Sequence, residues 1–123
     1  MNNRPLLLAV DCNQRNLGLL SQFLSREGYQ TCTVSTLEQF NQVLDQSDEI
    51  ALALVDISGF DRRIWACCER LREAKTPFLV LSPRQSAAIR QESLAHGASS
   101  ILVKPLVVRE LLGLIRSLLG DQE

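Results

Sequence analysis

Five short apolar runs recur along the chain, separated by stretches whose apolar positions follow helical spacing. Leu6–Val10, Ile50–Ile57, Pro77–Leu81 and Ser100–Val103 are nearly continuous, the pattern of parallel strands covered on both faces. Gln30–Val34, reading Gln-Thr-Cys-Thr-Val, is more polar and β-branched and is predicted as an edge strand. Leu17, Leu20 and Leu24 share one face of a first helix, which Gly28 stops. Ser35-Thr-Leu-Glu38 reads as a capping box opening a second helix, with Leu37, Phe40 and Leu44 inward. Ile64, Cys67 or Cys68, and Leu71 mark a third, from about Asp61 to Ala74. The fourth, about Gln85 to His96, has Ala88, Ile89 and Leu94 as its anchors and ends at Gly97. The fifth, about Val107 to Leu119, turns Leu111, Ile115 and Leu118 inward.

The order is therefore βαβαβαβαβα, an α/β class. Short parallel strands joined by helical crossovers wind right-handed and place helices on both faces, giving a doubly wound five-stranded parallel sheet. The 123 residues fit one domain spanning 1–123, with no repeat or linker and a short tail at Gly120-Asp-Gln-Glu. Ligands of such sheets bind beyond the carboxyl ends of the strands, so that edge is where chemistry is expected.

Composition narrows the function classes. Aromatic residues are only 5%, too few for a platform that stacks single-stranded nucleic acid. Lys+Arg 13 against Asp+Glu 14 gives a charge of −1, which offers no overall attraction to a polyanion. Neither a nucleic-acid contact nor a membrane is expected, because the run Leu6–Val10 ends at Asp11, too soon for a signal sequence or a span. The cysteines, Cys12, Cys32, Cys67 and Cys68, lack zinc-type spacing, and His96 is the only histidine. A cytoplasmic protein with reduced thiols is expected, with Cys67 and Cys68 as core packing. No glycine-rich nucleotide motif is present. His96 is expected to complement the dipole at its helix end, Trp65 to pack in the core, and Arg62, Arg63, Arg70, Arg72 and Lys75, interleaved with Glu69 and Glu73, to form a solvated face.

Each apolar strand except the second hands over to a reactive group: Asp11-Cys12 after the first, Asp56 after the third, Ser82 after the fourth, Lys104-Pro105 after the fifth. Two carboxylates repel unless a divalent cation or an ammonium offsets them. A hard ion such as magnesium takes carboxylate and backbone oxygens and keeps some of its waters. Asp56 beside a lysine, a hydroxyl and a metal is suited to attack a phosphoryl group and form an acyl phosphate. Lys104 would then pair with one phosphate oxygen, and Ser82 would donate to another.

Leu-Ala-Val-Asp11, Leu-Val-Asp56, Val-Leu-Ser82 and Gly97-Ala98-Ser-Ser-Ile-Leu-Val-Lys104-Pro105 together give the chain a likeness over nearly its whole length. From about Leu6 to Leu119 it resembles the receiver domain of two-component response regulators. The resemblance implies a flavodoxin-like (βα)5 fold with strand order 2-1-3-4-5. It makes Asp56 the phosphoacceptor, Ser82 the switch hydroxyl and Lys104 the active-site lysine, with Mg2+ held by Asp11, Asp56 and the Ser58 carbonyl. It implies no enzyme beyond self-phosphorylation and autodephosphorylation. The phosphoryl group would come from a histidine kinase, a phosphotransfer protein or a small phosphodonor. Output would reach a downstream effector protein or domain through the fourth helix, fifth strand and fifth helix, and a homodimer through the fourth and fifth helices stays open. The Lys104–Pro105 bond is implied to be cis.

The pattern is also broken in places. Cys12 stands where the family has a second acid, and a soft thiol is a poor donor for a hard cation, so weak magnesium binding and slow phosphorylation are expected. The loop Ile57-Ser58-Gly59-Phe60 lacks the usual proline and glycine places. Pro83 replaces a small residue and removes a backbone N–H. Ile101 stands where an aromatic usually swings inward on activation. These departures favour a second reading, an atypical receiver that acts as a protein-interaction module with weak or no phosphorylation.

Overall fold

Five strands and five helices alternate without interruption in the computed structural model, which describes residues 4–120. They are β1 (Leu6–Val10), α1 (Gln14–Arg26), β2 (Gln30–Val34), α2 (Leu37–Gln46), β3 (Ile50–Asp56), α3 (Ile64–Glu73), β4 (Phe78–Ser82), α4 (Ala87–Ala95), β5 (Ser100–Val103) and α5 (Val108–Leu118). All strand pairs are parallel, in the order β2-β1-β3-β4-β5. This is the flavodoxin-like order implied by the resemblance. Residues 121–123 of the expected tail lie outside the described residues.

Several boundaries move for identifiable reasons. Helix α3 begins at Ile64 rather than Asp61, because the Asp61 carboxylate accepts the Arg63 N–H at 2.9 Å and turns that segment into a loop. Helix α4 begins at Ala87, capped by the Ser86 hydroxyl, which accepts the Ile89 N–H. The capping pair of α2 sits one residue later than predicted. Thr36 Oγ1 accepts the Gln39 N–H at 3.1 Å, while Gln39 Oε1 accepts the Ser35 N–H at 2.8 Å.

Alternation along each strand splits the core between two faces. Leu8, Val10, Ala53, Val55, Phe78 and Val80 meet Phe40 of α2 and Ile64, Trp65, Cys67, Cys68 and Leu71 of α3. Leu7, Leu52, Leu54, Leu79, Leu81 and Leu102 meet Leu24 of α1 and Leu111 and Ile115 of α5. Trp65, Cys67 and Cys68 are thus core residues as expected, and burial pushes the Cys68 thiol up to about 12. Strand β2 is an edge, as its polar sequence suggested, but apolar β5 forms the other edge and buries only Leu102. Among the described residues no helix is long and apolar enough to cross a membrane.

Helix α4 departs most from expectation. Of its predicted anchors only Ile89 is partly buried; Ala88 is exposed and Leu94 is 47% exposed. The inward position is instead taken by Ser93, fully buried, whose hydroxyl donates to the Ile89 carbonyl at 2.7 Å. Ile89 and Ser93 lie four residues apart on one stripe, and that rotation turns Leu94 outward. Equilibrium urea unfolding tests this placement. Leu111→Ala is expected to cost about 2–5 kcal/mol and Leu94→Ala no more than about 0.5 kcal/mol. A comparable loss for both variants would put Leu94 in the core.

Candidate functional site

Sheet register brings the reactive groups together. β1 and β3 are neighbours, so Asp11, directly after β1, lies beside Asp56, the last residue of β3. Asp56 pairs in register with Leu81, and Ser82 with Val103, which places Lys104 one residue beyond the edge strand. Backbone bonds continue the stitching past the strand ends: Ile57 N–H donates to the Leu81 carbonyl at 3.2 Å, and Lys104 N–H to the Ser82 carbonyl at 2.8 Å.

Asp56 is 2% exposed, and both its oxygens are engaged. Lys104 Nζ lies 2.6 Å from Oδ2, and the Ser58 N–H donates to Oδ1 at 3.0 Å. A buried carboxylate needs this kind of compensation to stay ionised. The Lys104–Pro105 bond is cis, as the resemblance implied. Asp11 is also buried, and its Oδ1 accepts the Asn13 N–H at 2.9 Å. Burial pushes the Asp11 carboxyl above the usual carboxylate range, and the charge of Asp56 adds to this against the opposing pull of the Asn13 N–H and the Lys104 ammonium.

The other two groups are placed less simply. Ser82 is at the predicted position and nearly fully buried, but its hydroxyl donates to the Arg84 carbonyl at 2.6 Å and faces the Arg84 N–H at 3.4 Å. The chain turns at Pro83, which has no N–H of its own, and closes on this hydroxyl. Beside it lies a surface cavity of about 360 Å³, lined by Ser82, Ile89, Arg90, Ile101 and Val103. Ile101 thus forms part of a cavity wall. Cys12 is exposed, and its thiol donates to the Ser58 carbonyl at 3.1 Å. Gly59 has φ +83°, and a Cβ there would collide with Cys12 Sγ, so residues 12 and 59 constrain each other. Sequence reasoning missed the roles of Arg84 and Gly59. Only the glycine carried a signal, as a turn residue immediately after Ser58.

The donor set can be tested against the magnesium implied by the resemblance. Among the described residues no three His, Cys, Asp or Glu side chains form a metal cage. Two adjacent buried carboxylates, one of them pushed up by burial and by the other's charge, suit a hard divalent cation, and the Ser58 carbonyl would supply a third oxygen. That carbonyl already accepts the Cys12 thiol through one of its two lone-pair directions. The residues therefore fit such an ion, which Asp11, Asp56 and the Ser58 carbonyl would hold.

Residues 7–116 match the family described as response regulator receiver domain, and the chain belongs to that family. It is 36% identical over 122 residues to the transcriptional regulatory protein GltR of Pseudomonas aeruginosa, covering 96% of this chain and 50% of that protein. It is 32% identical over 114 residues to the transcriptional regulatory protein CpxR of Escherichia coli, covering 92% of this chain and 48% of that one. The chain spans about half the length of these curated relatives. Its fold is similar to a CheY-like response regulator receiver domain protein from Methanospirillum hungatei, with a TM-score of 0.87 at 24% identity, covering 97% of this chain and 96% of that one.

The raised Asp11 carboxyl has a consequence for stability. The folded state holds a proton there more readily than the unfolded chain does, so this group favours folding at low pH and opposes it once ionised. Asp11→Asn preserves an acceptor for the Asn13 N–H and removes the charge. It is expected to raise Tm near pH 7, with the gain shrinking as the pH falls toward about 4. A lower Tm for this variant at neutral pH would contradict the stated origin of the shift.

Proposed function

We propose that this receiver domain, acting as one unit over residues 1–123, accepts a phosphoryl group on Asp56 and signals through a changed protein-interaction surface. The observation that carries this reading is the Asp56–Lys104 pair. A carboxylate shielded from water is paired and oriented at the carboxyl edge by an ammonium at 2.6 Å and a backbone N–H at 3.0 Å. A carboxylate oxygen forms the bond to phosphorus while the bond from phosphorus to the donor breaks. The leaving imidazole nitrogen or acyl oxygen departs with the electron pair, and Asp56 becomes an acyl phosphate. Lys104 then transfers its pairing from Oδ2 to a phosphoryl oxygen, and Ser82 releases the Arg84 carbonyl to donate to another. Asp11, Asp56 and the Ser58 carbonyl would hold Mg2+, which when bound offsets the negative charge gathered there.

In this reading the domain is a phosphoacceptor supplied by a histidine kinase, a phosphotransfer protein or a small phosphodonor in the cytoplasm. GltR and CpxR are transcriptional regulatory proteins, which supports an effector acting on transcription, with the receiver itself making no nucleic-acid contact. The surface that changes would be that of α4, β5 and α5. One observation favours the alternative of an atypical receiver with weak or no phosphorylation: the Cys12 thiol stands in an acid's place and already engages the Ser58 carbonyl.

Incubation with acetyl phosphate and magnesium, followed by intact mass measurement, separates the two. The expected result is one phosphoryl adduct on the wild-type chain and none on Asp56→Asn. No adduct at saturating magnesium would overturn the proposal in favour of the interaction-module reading. In a separate magnesium titration followed by amide NMR shifts, Cys12→Asp is expected to tighten binding by about tenfold. Unchanged affinity would remove Cys12 from the account of the cation site.

A further inference from the structure

The only histidine and the only tryptophan of the chain meet away from the Asp56 site. The His96 ring stacks on Trp65, with centroids 5.3 Å apart and planes 10° apart. His96 caps the carboxyl end of α4, and both of its ring nitrogens are engaged by carboxylates. Nδ1 lies 2.9 Å from Glu69 Oε2 of α3, and Nε2 lies 3.1 Å from Glu92 Oε1 of α4. A carboxylate only accepts, and a neutral imidazole has one N–H. The neutral ring can donate to one of these partners and must turn a lone pair toward the other, whereas the imidazolium donates to both. The observed arrangement is thus satisfied in full only by the charged ring.

The surroundings contain charges of both signs. From α3, Arg72 Nη1 lies 3.6 Å from Glu69 Oε2 and donates to the Ala95 carbonyl at 3.3 Å. From the loop before α3, Arg62 Nη2 lies 3.8 Å from Glu92 Oε2. The two arginines share the carboxylates with His96, while the Trp65 ring face favours a cation. What this cluster holds is the most weakly anchored helix in the domain. Among its described residues α4 buries only Ser93, where α3 buries Ile64, Trp65, Cys67, Cys68 and Leu71. Polar links to α3 therefore make up an unusually large share of what fixes its carboxyl end.

We propose that His96 is a proton-controlled clamp that fastens the carboxyl end of α4 to α3. With the imidazole protonated, Glu69 and Glu92 are bridged across the two helices. With the proton gone, one bridge becomes a contact between a lone pair and a carboxylate, and the end of α4 loosens. The clamp rests on the His96 contacts and not on phosphoryl transfer at Asp56.

The chain carries its own reporter, because a charged imidazole stacked on an indole quenches its fluorescence. Trp65 emission and hydrogen exchange of the α4 amides, corrected for intrinsic exchange rates, are to be followed on the full chain between about pH 5 and about pH 8, the span in which histidine changes charge. Emission is expected to rise with pH, and α4 protection to fall about two- to fivefold along the same curve. His96→Gln should flatten both responses. Glu69→Gln, which keeps the ring in place, should reduce the change in α4 protection. Constant α4 protection in the wild type, with or without a change in emission, overturns the clamp. So does an undiminished pH dependence of α4 protection in either variant.

Discussion

The carboxyl edge of the sheet is organised around one charge that water barely reaches. Asp56 closes a strand buried along most of its length, and an isolated carboxylate there would be driven to take up a proton. Its partner comes from two strands away. Lys104 reaches it because β4 lies between β3 and β5 in register and carries the backbone bonds that align all three ends. Strand order, register and the site are thus one constraint. A sheet wound differently would leave Asp56 and Lys104 on separate edges, with a buried charge lacking its partner.

Around that constraint the helices are held unequally. α1, α2, α3 and α5 each bury large apolar side chains, so their positions follow from core packing. α4 rests on Ile89, Ser93 and polar contacts at its ends, with Leu94 turned to solvent. The exposed Val107 and Val108 at the start of α5 add to the apolar surface left uncovered by the core. The α4–β5–α5 surface proposed for output includes this loosely packed helix, where small changes in polar contacts carry more weight than in the core.

Much of this was legible in the sequence. Strands covered on both faces must be apolar runs, and each such run ends where a polar or ionisable residue begins, so Asp11, Asp56, Ser82 and Lys104 are placed at one edge by the sequence alone. What was not legible depended on choices between near-equals. Ser35 and Thr36 can both cap a helix, and Glu38 and Gln39 can both reciprocate. Loop geometry decided for Thr36 and Gln39. Leu94 looked like an anchor because leucine usually is one, but α4's short apolar pattern did not fix its rotation. By its position His96 suits the dipole of its own helix, while one of its contacts, Glu69, lies far away in sequence. The hydroxyl direction of Ser82 depends on where the chain goes after Pro83, which residue types alone do not specify.

That last contact has a consequence for how chemistry at the edge could travel. The Ser82 hydroxyl holds its own loop closed by donating to the Arg84 carbonyl. An acceptor placed above Asp56 competes for the same proton, and whatever wins it leaves the carbonyl without a donor. The backbone just ahead of the Ser86 cap must then find another partner. A chemical event at one side chain would become a change in main-chain path leading into α4, with no aromatic ring required to relay it.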